Sequence, residues 1–94
     1  MSEMVLGEAV IVKQKYNLFD NEVEGEEGIF VRLDSTTNKS LVYFPQFGEW
    51  GEIEHLERVD EGVVPEKNKE FAENLSELNY TMERSFYGFS NGGR

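Results

Sequence analysis

Residues 28–47, GIFVRLDSTTNKSLVYFPQF, constrain the fold more than any other stretch of the chain. Two apolar runs flank a polar hexapeptide, the pattern of two antiparallel strands joined by a tight connection. Side chains alternate across a pleat, so Ile29, Val31 and Leu33 are expected to share the core face. Phe30, Arg32 and Asp34 then share the other face, which makes Phe30 a candidate for an exposed binding patch. Residues 35–40, Ser-Thr-Thr-Asn-Lys-Ser, are turn formers whose short side chains bond to nearby backbone. The return strand, Leu41-Val42-Tyr43-Phe44, is aromatic and β-branched. Pro45 has no N–H to give a ladder and ends it.

The flanking segments read as cover for this hairpin. Residues 7–14, with the apolar run Ala9-Val10-Ile11-Val12, predict a first strand covered on both faces, or nearly so, with Met4 and Leu6 as possible extensions. Residues 15–28 read as a loop with an acidic centre: Asp20, Glu22, Glu24, Glu26 and Glu27. Tyr16, Leu18, Phe19 and Val23 punctuate that loop, which predicts packing at points along it. After Pro45, residues 46–51 read as a turn holding Phe47 and Trp50. Ile53 alternates with Glu52 and Glu54 as in a half-buried strand, and the step from Ile53 to Leu56 predicts a single helical turn before an extended stretch at residues 58–60.

This order of glycines and apolar residues resembles the SH3-like small barrels of bacteria and phages, the KOW-related ones among them. The resemblance covers residues 5–60 and rests on residues 7–12, on Gly28-Ile29-Phe30-Val31, on Val42-Tyr43-Phe44 and on residues 52–59. It implies five short strands around one core, a long loop after the first strand and a 3₁₀ turn before the last. The expected fold class is therefore mainly β: an SH3-like five-stranded barrel in residues 1–62, followed by a C-terminal amphipathic α-helix. The nucleic-acid-binding members of that group carry Lys and Arg where this chain is acidic.

The helix is expected in residues 63–94, packed on the barrel as part of one structural domain. Pro65 suits a first helical position and Glu66 suits the positive end of the helix dipole. Phe71, Leu75, Leu78 and Met82 recur at helical spacing as one apolar stripe. The helix is predicted to end near Asn79 or to continue to Tyr87, before Gly88; residues 90–94 are expected to be frayed.

Charge narrows the function. Nineteen acidic side chains face nine basic ones, a net charge of −10 in 94 residues. Residues 1–62 hold 14 acidic and 5 basic groups, whereas residues 63–94 hold 5 and 4. Such a field repels phosphate, and Lys13, Lys15 and Arg32 are too few to build a nucleic-acid face. The chain has no cysteine and one histidine, His55, so neither a thiolate metal site nor a nucleophile–histidine pair is expected. Asp20-x-Glu22-x-Glu24-Gly25 is similar to the start of a calcium loop, but Val31 stands where the closing glutamate belongs. No enzyme activity, cofactor or metal is expected.

With no apolar run near the ~20 residues a membrane span needs and no leader-like start in Met1-Ser2-Glu3-Met4, a cytoplasmic protein is expected. The expected role is a non-catalytic module that docks on a basic protein surface. One concrete version is a small phage-type inhibitor that occupies a nucleic-acid-binding surface as a mimic. The candidate contact residues are the aromatics Tyr16, Phe19, Phe47 and Trp50 with the carboxylates Glu22, Glu24, Glu26, Glu27, Glu49, Glu52 and Glu54. The alternative is an assembly protein that self-associates or docks through the helical stripe and the aromatic tail Phe86, Tyr87 and Phe89.

Overall fold

The computed structural model describes residues 3–76. Seven strands, β1 (Ala9–Val12), β2 (Asn17–Leu18), β3 (Asn21–Glu22), β4 (Glu27–Asp34), β5 (Lys39–Phe44), β6 (Glu49–Ile53) and β7 (Leu56–Arg58), precede helix α1 at 66–76. Five of them form an antiparallel sheet in the order β6-β5-β4-β1-β7, while β2 and β3 form a separate small hairpin. Strands β4, β5 and β6 neighbour one another in space as in sequence, the short-connection arrangement that antiparallel pairing allows. Strand β1 lies beside β4, and β7 returns to pair along its other edge, with Val10 opposite Arg58.

The sheet buries one face fully and has the other partly covered by α1. On one face Val10, Val12, Phe30, Val42, Phe44 and Ile53 make the core, joined by Leu18 and Val23 from around the small hairpin. Gly28 is needed there: a Cβ at this position would lie 2.4 Å from Val42 Cγ1. On the other face Tyr43 and Trp50, paired across β5 and β6, meet Phe71 of α1. The Tyr43 and Phe71 rings are stacked, with centroids 5.1 Å apart and planes 9° from parallel. Asn68, one turn earlier, is buried and donates from Nδ2 to the Gly7 carbonyl at 2.9 Å. A Cβ on Gly7 would strike Ala72 Cβ and Val64 Cγ1, both at 2.9 Å, so this glycine sets how closely the helix approaches.

Several expectations need correction. Phe30 is a core residue and no exposed patch, whereas Leu33 is 53% exposed. Phe30 stands opposite Val42 and shares its core face, whereas Ile29, opposite Ala9 and Tyr43, lies on the helix side, so the face expected to be the core is inverted; a β-bulge between Phe30 and Arg32 then interrupts the alternation. The turn after β4 is four residues, 35–38, and Lys39 and Ser40 already belong to β5. Asp34 closes that turn, its Oδ1 accepting from the Thr36 amide and its carbonyl from the Asn38 amide. Residues 15–28 are no plain loop, since they contain β2 and β3 and the start of β4. Strand β6 begins at Glu49, so Trp50 and Gly51 are strand residues, not turn residues.

The step from Ile53 to Leu56 is a bend with no helical turn. Gln14 holds it, Oε1 accepting from the Glu54 amide at 2.8 Å and the His55 amide at 2.6 Å. Leu6 and Gly7 form a turn instead of lengthening β1. Helix α1 starts at Glu66, directly after Pro65. Leu78, Met82, the aromatic tail and both alternative helix ends lie outside the described residues.

Candidate functional site

Two segments, 16–27 and 46–54, together carry eight carboxylates and not one lysine or arginine. They are distant in sequence, and local hydrogen bonding decides whether they meet. The β2–β3 hairpin is closed by the two-residue turn Phe19-Asp20. Its base is tied by Glu22, whose Oε2 accepts from the Tyr16 amide at 3.1 Å and the Glu24 amide at 3.2 Å. Tyr16 and Leu18 then lie over Gly51, where an added Cβ would sit 3.3 Å from Tyr16 Cε2 and 3.6 Å from Leu18 Cδ1. Gln46 makes a second link: Nε2 donates to Glu26 Oε1 at 3.3 Å and to the Glu27 carbonyl at 2.9 Å. The two cation-free segments are therefore adjacent.

The candidate residues do not all share one surface. Tyr16 and Phe47 are half-buried against the core, Phe47 with its ring centroid 6.4 Å from that of Phe44. Trp50 belongs to the helix-covered face with Tyr43 and Phe71, and 43% of it is exposed. Phe19 alone stands clear, 75% exposed at the hairpin tip. Its φ of 58° is unusual for a bulky residue, since left-handed backbone costs an L-residue about 1–2 kcal/mol.

Glu22, Glu24, Glu52 and Glu54 are exposed, and Glu26 and Glu49 are half-exposed. Among the described residues, Glu27 is the member of the set held by a cation, its Oε2 lying 2.8 Å from Lys67 Nζ. The carboxylate of Glu22 is committed to backbone amides, so it braces the hairpin as well as contributing charge.

Sequence reasoning missed a polar anchor. Glu8, just before the apolar run of β1, is completely buried. Arg58 of β7 donates to it from Nε and, at 3.0 Å, from Nη2 to Oε1, while Glu8 Oε1 also accepts from the Val5 amide. Burial pushes the Glu8 carboxyl up, but Arg58 and the Val5 and Gly62 amides outweigh it, leaving the group below the usual carboxylate range. The same pairing holds the Arg58 guanidinium above its ordinary value. A glutamate abutting four consecutive apolar residues was the available signal. Its partner, 50 residues away, left none.

No three His, Asp or Glu groups among the described residues converge as a metal site. No described helix is long and apolar enough to cross a membrane. The chain matches no protein-family model, no curated protein and no solved structure.

Proposed function

We propose that this chain is a non-catalytic protein-binding module that docks, through the acidic side formed by residues 16–27 and 46–54, on a basic surface of a partner protein in the cytoplasm. The observation that carries the reading is the adjacency of two segments holding eight carboxylates and no cation. A contiguous field of one sign steers a basic partner during encounter, and an exposed aromatic at its edge supplies an apolar anchor. Phe19 has that position. A partner whose basic surface normally holds nucleic acid fits the same chemistry, with spaced carboxylates taking the place of phosphates; an inhibitor or modulator of such a protein is the concrete form.

The SH3-like reading belongs to the same proposal. Its support is the strand order β6-β5-β4-β1-β7, the three-strand meander, the pairing of the last strand with the first and the hairpin-bearing connection after β1. Folds of that kind serve many roles, so the role is argued from the acidic surface and not from the fold. The competing assembly reading relies on the helical stripe, and Phe71 of that stripe is already stacked on Tyr43 of the same chain.

The test is affinity purification with the full chain from its native host, followed by titration of the purified partner at several salt concentrations. The expected Kd weakens at least about tenfold between 0.05 and 0.5 M salt, because the screening length of exposed charges falls from roughly 14 to roughly 4 Å over that range. A complex of unchanged affinity across the series would sink the proposal.

A further inference from the structure

A cleft of about 480 Å³ opens where α1 crosses the start of β4 and the end of β5. Ile29, Tyr43, Pro45 and Phe71 give it apolar walls, and Glu26, Glu27, Gln46 and Lys67 also line it. We propose that this cleft seats the side chain of an arginine from the basic partner, its guanidinium taking over Glu27 from Lys67 and bridging to Glu26. The inference rests on the docking reading and assigns that reading a specific pocket.

The occupant follows from the chemistry of the lining. A purely apolar group would strip water from two carboxylates without replacing it, and an anion would be repelled. A long side chain with a methylene stem and a cationic head matches both parts of the cleft. The chain itself shows where the head would sit, because Lys67 Nζ lies 2.8 Å from Glu27 Oε2. The Lys67 side chain is 66% exposed, so this single contact is weak and displaceable. Glu26 Oε1 receives only the 3.3 Å contact from Gln46 and retains acceptor capacity. A planar guanidinium offers several donors and spans two carboxylates; an incoming ammonium would merely duplicate Lys67. The cleft also adjoins the acidic side directly, since Gln46 bonds to both Glu26 and Glu27.

The experiment is an NMR titration of the full chain with N-acetyl-arginine methylamide, its lysine counterpart and the neutral citrulline counterpart. Arginine is expected to give saturable shifts at Glu26, Glu27, Tyr43 and Phe71. The lysine compound should bind at least about threefold more weakly and citrulline not measurably. Glu27→Gln should weaken arginine binding about fivefold or more, with the unperturbed amide spectrum reporting an intact fold. Lys67→Met should strengthen it about two- to fivefold by removing the competing cation. Lys69→Met makes the same change of net charge beside Glu66, 3.3 Å away, and should leave binding unaltered.

Equal shifts with citrulline, shifts spread over the acidic surface, or equal effects of the two lysine substitutions would overturn the proposal. The two readings fail separately. A salt-sensitive partner complex unaffected by Glu27→Gln overturns the arginine seat and leaves docking standing, whereas a salt-insensitive complex removes docking itself.

Discussion

Phe19 and Glu8 are costly residues of opposite kinds. Phe19 has φ 58° in a turn where the first of two loop residues alone is left-handed, a position that ordinarily takes glycine. Phe19→Gly is expected to be more stable than Phe19→Ala by about 1 kcal/mol in urea unfolding, because both lose the ring and only glycine relieves the backbone. Both variants should lose partner affinity if the exposed ring is an anchor.

Glu8 is held below its ordinary value of 4.5, so the native state binds fewer protons than the unfolded chain between the lowered and the ordinary value. Its contribution is fully present above the ordinary value and is lost as pH falls through the lowered one. Glu8→Gln is expected to be less stable by about 2–4 kcal/mol near neutrality, with the gap narrowing in acid. Denaturant melts of both proteins from pH 7 downward read this directly; parallel curves would show that the ion pair is not the acid-sensitive element.

Among the elements, the sheet's two coverings decide what could be read beforehand. β1 is legible because four consecutive apolar residues predict burial on both sides, and Ala9, Val10 and Val12 are buried with Ile11 half-buried. The end of β5 was legible because Pro45 cannot donate. The start of α1 after Pro65 followed from local chemistry too. Phe30 is misplaced by the pattern because alternation leaves open which face is the core, and only its register opposite Val42 decides that. Trp50 reads as a turn residue in the sequence because its neighbouring glycines look like breakers. In the structure Gly51 is the strand position that lets Tyr16 and Leu18 approach.

The candidate site was legible as composition, while its geometry depended on Gln46, a residue with no pattern to mark it. At this scale Phe71→Ala should destabilise by about 2–3 kcal/mol, since it removes an aromatic stacked on Tyr43 and tilted against Trp50. Fluorescence of Trp50, the sole tryptophan, should report the loss even in the folded state. Gly28→Ala should cost at least about 1–3 kcal/mol through its clash with Val42.

For the whole molecule, a net charge of −10 works against compaction while it serves docking. Raising NaCl from about 10 to 200 mM should therefore raise the thermal midpoint by about 2–4 °C while weakening the partner complex. Glu24→Lys isolates the two effects in one chain, because the exposed Glu24 carboxylate makes no hydrogen bond or ion pair among the described residues. It should stabilise slightly at low salt, by about 0.5 kcal/mol, and weaken docking. A stabilised variant that docks as tightly as the parent would place the docking charge elsewhere.

The Glu8–Arg58 pair also has a consequence for the order in which the chain can become a structure. β1 is synthesised before β7, yet the buried carboxylate of Glu8 beside it finds its counter-ion only when β7 has been made, 50 residues later. Until then, packing β1 against β4 would bury an uncompensated charge. The nascent chain is thus discouraged from settling early, and the sheet should assemble in one late step once its seventh strand is free to close on the first.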